Sequence, residues 1–221
     1  FRSKYSLPDL KCYKFKPDQE YWEKWPSMSW DKAQDMKNSN NPELLEKQAS
    51  DAGFLNTDLL HQILCDVKQG ASIGVAQGMD VPSDSTNAPS ALEYGQQVSD
   101  AICKMIDEGF VMGPFDETNM PFEENRFSGI MTKLKPNNTA RIILNLSRGT
   151  PQAVNDSIDS AEYPTLMSST EELLRVLHGA GVGAEMTKSD YAAAYKQIRI
   201  SLDKVWQQGF RWQGKVFYEL C

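Results

Sequence analysis

The residues best suited to chemistry lie in one segment, Met186-Thr187-Lys188-Ser189-Asp190-Tyr191-Ala192-Ala193-Ala194-Tyr195. It puts a carboxylate at the end of a strand expected near 183–190, with three small residues before a second aromatic ring. Small residues let the backbone turn tightly, so that Asp190 and Tyr195 can face one concave surface. A strand-terminal Asp can hold a Mg²⁺ that bridges substrate phosphates, because Mg²⁺ keeps several waters and needs only one or two protein carboxylates. Taken alone, the same placement also describes an aspartate that caps the following turn through its side chain.

A second constellation is cationic. Ser128 to Leu134 and Arg141 to Leu146 are short apolar runs joined by Lys135-Pro136-Asn137-Asn138-Thr139, the composition of a hairpin with a four- or five-residue loop. Arg141 would start its strand with Ile143 and Asn145 on the same face, and Lys133 and Lys135 would stand near the loop. Such a flap can fold over a triphosphate and neutralise charge that develops during transfer. An ordinary exposed hairpin has the same composition.

The elements that must position these groups are legible in part. Residues 1–50 are aromatic and Lys-rich without sustained period and read as an irregular arm with one short helix; Tyr21-Trp22-Glu23-Lys24-Trp25-Pro26, the densest aromatic cluster, reads as packing rather than a base-stacking platform. Leu59, Leu60, Ile63, Leu64 and Val67 predict a helix over 56–68, stopped by Gly70. A linker follows over 70–88, then a helix opened by Asn87 and Pro89, carrying Leu92, Val98, Ile102 and Met105 and ending at Gly109. Ser169 with Glu172 forms a capping box for a helix at about 169–178. Gln197 to Ser201 alternates as a strand does, and Val205 to Phe210 and Lys215 to Leu220 flank Trp212-Gln213-Gly214 as a second hairpin.

Composition excludes several classes. No apolar run approaches the roughly 20 residues that span a bilayer, so no membrane partner is expected. The start, Phe1-Arg2-Ser3-Lys4, has neither an initiator Met nor a signal peptide and reads as a cut end. Cys12, Cys65, Cys103 and Cys221 have no CxxC spacing, and His61 and His178 stand alone, so neither a zinc site nor a disulfide framework is indicated. An intracellular place, cytoplasm or nucleus rather than secreted, follows as the expectation. Phosphate loops of the P-loop or Rossmann type, HExxH and GxSxG are missing, which removes the common nucleotide-fold and hydrolase readings. The net charge of −7 argues against a nucleic-acid partner until it is resolved along the chain: residues 126–155 hold Arg126, Lys133, Lys135, Arg141 and Arg148 and no acid.

In order, Gly113-Pro114-Phe115, Ser128 to Lys133, Arg141 to Ser147, Val154 to Ile158, Thr187 to Tyr195 and Gly209 to Lys215 resemble the reverse transcriptases of retrotransposons, most closely the DIRS-like group, over about 70–221. That resemblance implies an α+β fold, the fingers and partial palm of a right-hand polymerase with a helical N-terminal lead-in, truncated. It implies an N-terminal arm and helix over 1–69, a fingers-like region over 70–180 and the first, incomplete part of the palm over 181–221. Asp190 would be the first metal-binding catalytic aspartate, with the carbonyl of Tyr191 as a backbone ligand. Tyr195 would lie under the sugar of the incoming deoxynucleotide and exclude a 2′-hydroxyl, while Arg141 with Lys133 or Lys135 would grip the triphosphate. Two Mg²⁺ ions are implied only in the complete enzyme, with an RNA/DNA template-primer and dNTP as partners.

Two departures stand out. Asn145 occupies a position where the family usually has Asp, and the Tyr-x-Asp-Asp hairpin that supplies the remaining carboxylates is not in the sequence. The chain therefore reads as a fragment, inactive by itself, that leaves apolar strand edges uncovered near 183–220. The alternative is a non-catalytic, transposon-derived module for nucleic-acid or protein binding; a third option is an unrelated α+β domain.

Overall fold

Short polar caps followed by apolar residues build the N-terminal part of the chain. The computed structural model describes residues 18–36, 40–76, 78–79, 81–159, 161–162, 168–187, 190 and 193–221. Asp18, Ser29 and Asn41 each accept a backbone N–H at the start of α1 (Gln19–Glu23), α2 (Trp30–Gln34) and α3 (Pro42–Asp51). Among the described residues of 1–50 three short helices thus stand where one was expected, because a helix of one to three turns carries its signal in its cap more than in a period. α4 (Thr57–Gln69) matches its expected span, with Asn56 as cap. It stops at Gly70, whose φ of +92° and whose missing Cβ, which would lie 2.6 Å from the Ser201 amide nitrogen, both require glycine.

The helix expected over 89–109 is broken at Tyr94, at φ −107° and ψ 43°, into α5 (Pro89–Glu93) and α6 (Gly95–Asp107). Docking onto the first hairpin accounts for the break. The Asn87 side chain accepts from the Ile130 amide at 2.9 Å and donates to the Arg211 carbonyl at 3.0 Å, and the Ala88 amide donates to the Ile130 carbonyl. The short helix is thereby tied to β2, while α6 lies along the core with Val98, Ile102 and Ile106 buried.

Among the described residues, five strands form two antiparallel sheets. β1 (Val111–Phe115), β2 (Gly129–Leu134) and β3 (Ala140–Asn145) precede α7 (Thr170–Ala180), and β4 (Gly209–Trp212) and β5 (Lys215–Glu219) close the described chain. β2 pairs with β3, and the second sheet has the order β1-β5-β4. Both hairpins stand as expected. The second turns through Gln213 and Gly214, at φ +49° and +80°, the two-residue primed geometry that suits strand twist. Residues 202–208, however, wind as a 3₁₀ helix, so the strand begins only at Gly209.

Two expected strands are absent among the described residues. Residues 184–187 have no regular structure, and 197–201 contribute a single parallel bridge between Ala71 and Ile200. The alternation at 197–201 misleads because the neighbours Arg199 and Ile200 are both buried, while the Arg199 carbonyl and Ser201 amide both bond to Ala71. The expectation of bare strand edges also fails for β5, which has a partner on each side. Exposed apolar side chains are found at Leu173, Leu174 and Val176 of α7, at Val182, Met186 and Tyr195, and in the N-terminal part at Leu44, Phe54, Leu55, Leu59 and Met79.

The core joins α6 to the three-stranded sheet through Val111, Met112, Phe210, Val216, Phe217 and Tyr218. Trp22 and Trp25 seat their rings 6.5 and 6.0 Å from that of Phe217, so the N-terminal aromatic cluster is packing, as expected. Burying each such ring contributes about 1.5–3 kcal/mol. Arg126 is wholly buried; its guanidinium donates to the carbonyls of Val81 and Met79 at 2.6 and 2.7 Å and to Ser157 Oγ at 2.8 Å. The segment over 70–88 is thereby fastened to the chain entering β2.

Candidate functional site

The first hairpin presents its cations in register. Lys133 and Arg141 are directly paired across β2 and β3, so both side chains leave the same face, and both are exposed. Lys135 follows β2 in the loop, where its amide donates to the Thr139 carbonyl and Asn138 adopts φ +60°. Among the described residues none of the three forms an ion pair or a side-chain hydrogen bond, so their charge faces solvent undiminished by a neighbouring acid. Like charges directly opposite each other on a strand pair destabilise it. The hairpin carries that cost, which an anion laid across the pair would relieve.

Asn145 closes β3. Its Oδ1 accepts from the Ser147 amide at 3.3 Å, its carbonyl accepts from the Arg148 amide, and Asn155 Nδ2 donates to Ser147 Oγ at 2.7 Å. The role is that of a turn-forming side chain, and an aspartate oxygen could accept the same N–H.

Asp190 is exposed, and Tyr195, 93% exposed, sits in a one-turn 3₁₀ helix over Ala194–Lys196. Tyr191, expected to lend a carbonyl, lies outside the described residues. Of the alanine run expected to turn tightly, Ala193 and Ala194 enter a 3₁₀ turn, and Ala192 lies outside the described residues. Ala193 holds left-handed φ +49° and ψ 42°, a conformation that costs an L-residue roughly 1–2 kcal/mol and that a β-branched side chain would resist more. Among the described residues no group of three or more His, Cys, Asp or Glu gathers as a metal site. Among the described residues of 186–195 Asp190 is the one carboxylate. That meets the lower bound for Mg²⁺, which takes one or two carboxylates and otherwise stays hydrated, and it does not suffice for two ions.

A half-buried ionisable cluster next to this segment is not foreseen from the sequence. Lys196 Nζ stands 4.7 Å from the centre of the Phe110 ring. Burial pushes the Glu219 carboxyl up to about 7, and the Lys196 charge draws it back down. Arg199 is 8% exposed, and burial lowers its pKa while Cys221 raises it. Arg199 also separates two clefts, of about 800 and 520 Å³, both bordered by Met36 and Asn40. The alternation of 197–201 hid this cluster, since it assigned Arg199 to the face of an expected strand.

No protein-family model matches the chain. No curated protein matches it. Among solved structures it is similar to the foamy viral protease-reverse transcriptase in complex with dsDNA, at 15% identity and TM-score 0.41, covering 82% of this chain and 38% of that one. It is also similar to the native Prototype Foamy Virus protease-reverse transcriptase, at 19% identity and TM-score 0.38, covering 88% of this chain and 24% of that one. The chain therefore spans well under half the length of the reverse transcriptases it resembles, and the likeness is a low-identity one of mixed helix and sheet.

Proposed function

We propose that this chain is a portion of an RNA-directed DNA polymerase of the retrotransposon kind, with the fingers over 70–180 and the start of the palm over 181–221. The observation that carries the reading is the register pairing of Lys133 with Arg141, which sets two exposed cations side by side on a hairpin with Lys135 at its loop. A triphosphate laid on that face meets donors from both strands, and bidentate Arg141 can orient it. Tyr195 offers a free ring on which a deoxyribose can rest and against which a 2′-hydroxyl would collide. Asp190 is the carboxylate suited to a hydrated Mg²⁺, which when bound supplies charge neutralisation at the phosphates.

The test is binding of a deoxynucleoside triphosphate and of a template-primer duplex to the chain, with and without Mg²⁺. The expected result is triphosphate binding that weakens in Arg141→Ala and Lys133→Ala, gains from Mg²⁺ and loses that gain in Asp190→Ala. Duplex binding with no triphosphate binding, and no response to Asp190→Ala, would overturn the polymerase reading in favour of a non-catalytic nucleic-acid module.

A further inference from the structure

Tyr195 has no side-chain partner among the described residues, yet the residue that follows it is held firmly. The Lys196 ammonium lies over the Phe110 ring, immediately before β1, and its charge reaches the Glu219 carboxyl at the end of β5. On the other side of the turn Asn40 Nδ2 donates to the Gln197 carbonyl at 2.9 Å. Within the turn the Lys196 and Gln197 amides donate to the carbonyls of Ala193 and Ala194 at 2.8 and 3.3 Å. Because Ala193 holds left-handed geometry, the turn needs an external hold to persist.

We propose that Lys196 is a positioning residue: its ammonium, seated on the Phe110 ring just before β1, fixes the turn that presents Tyr195. The inference rests on the reading of Tyr195 as a nucleotide contact for its functional meaning, though not for its geometry. Val111 pairs with Glu219 across β1 and β5, so the ring and the carboxylate that receive Lys196 belong to adjoining parts of one sheet. The other charged or titratable groups close by are Arg199, Glu108 and the Cys221 thiol, which with Lys196 border the 520 Å³ cleft. Arg199 and Lys196 both pull the thiol pKa down, and burial, the larger effect, pushes it up, so the thiol stays neutral and adds no competing charge. Glu108 is engaged by Lys104 Nζ at 3.6 Å, which leaves Glu219 as the anion that Lys196 answers.

The signs separate local from global effects. Glu219 has a folded-state pKa raised to about 7, so its contribution to overall stability is present at low pH and is lost as pH rises through that value. The attraction to Lys196 exists only when the carboxylate is ionised, above that midpoint. Rising pH therefore weakens the whole fold while tightening this turn.

Amide hydrogen exchange of the Lys196 and Gln197 N–H groups, expressed as protection relative to the intrinsic rate, reads the turn directly. It is measured well below and well above the Glu219 midpoint. Lys196→Met is expected to lower protection about two- to fivefold at the lower pH, through loss of the ring contact, and about tenfold at the higher pH. Lys196→Arg is expected to restore it, and in Lys196→Met the Glu219 carboxyl, followed by carbon-13 NMR, is expected to titrate above its native midpoint. Should Lys196→Met fail to fold, Glu219→Gln carries the test, since it keeps the ring contact and is expected to abolish the pH dependence of protection. Unchanged protection in Lys196→Met, an unmoved Glu219 midpoint, or a pH dependence that survives Glu219→Gln would each overturn the proposal. No nucleotide enters these measurements, so their failure is distinct from failure of the polymerase reading.

Discussion

Replacing Arg126 with methionine tests whether its buried guanidinium is structural. The side chain is wholly buried and donates to two backbone carbonyls, of Met79 and Val81, and to Ser157 Oγ. Methionine fills much of the volume but leaves both carbonyls without that donor, at about 1–3 kcal/mol each. The two orphaned carbonyls alone put the loss at about 2–4 kcal/mol. For a chain of 221 residues that corresponds to a fall in Tm of roughly 5–15 °C. Urea unfolding followed by tryptophan fluorescence, with calorimetry for Tm, measures it. Ser157→Ala is the control: it removes one acceptor and spares both carbonyl bonds, so it should cost under about 1 kcal/mol. If Arg126→Met were neutral, or no worse than Ser157→Ala, the claim that this guanidinium fastens 79–81 to the hairpin would be wrong.

Arg141→Ala should remove a like-charge cross-strand pair and stabilise the free chain by a few tenths of a kcal/mol, about 0.2–1, while weakening triphosphate binding; the opposite signs are read by melting and by titration. Asn145→Asp should change stability by less than about 0.5 kcal/mol, since either side chain can accept the Ser147 amide; a large loss in the urea midpoint would count against that role. Trp22→Ala should cost about 3–5 kcal/mol by emptying the space beneath Phe217, again measured by unfolding. Glu219→Gln should stabilise the chain above pH 7 by up to roughly 3 kcal/mol and have little effect near pH 4, because only the ionised carboxylate is penalised; a melting series across that range decides it.

What was legible in the sequence were features whose signal is local. The hairpin over 128–146, the capping box at Ser169 and Glu172 and the Gln213-Gly214 turn each depend on a few neighbouring residues, and each forms. Less legible were features set by distant partners. Tyr94 breaks a periodic helix because Asn87 and Ala88 must reach β2, and 197–201 gives up its alternation because Gly70 lets Ala71 approach so closely. Of the cations expected to act together, Arg141 with Lys133 or Lys135, it is Lys133 that lies opposite Arg141, a placement that follows from hairpin register alone. Lys196 and Glu219 could not be paired in advance, since only the β1–β5 contact brings Phe110, Lys196 and Glu219 to one place.

The aromatic seat on Phe217 also has a kinetic side. Tyr21 donates to Gln213 Oε1, a contact between residues 192 positions apart in the chain. At roughly 5–20 residues per second, a ribosome needs about 10–40 s to make the strand that covers Trp22 and Trp25 after those residues emerge. Throughout that interval the N-terminal helices display their largest apolar rings with no sheet to receive them, and the pairing of β1 with β5 waits equally long. Until the β4–β5 hairpin leaves the exit tunnel those rings stay open to hydrophobic-binding chaperones, and slowing synthesis ahead of Gly209 lengthens that exposure.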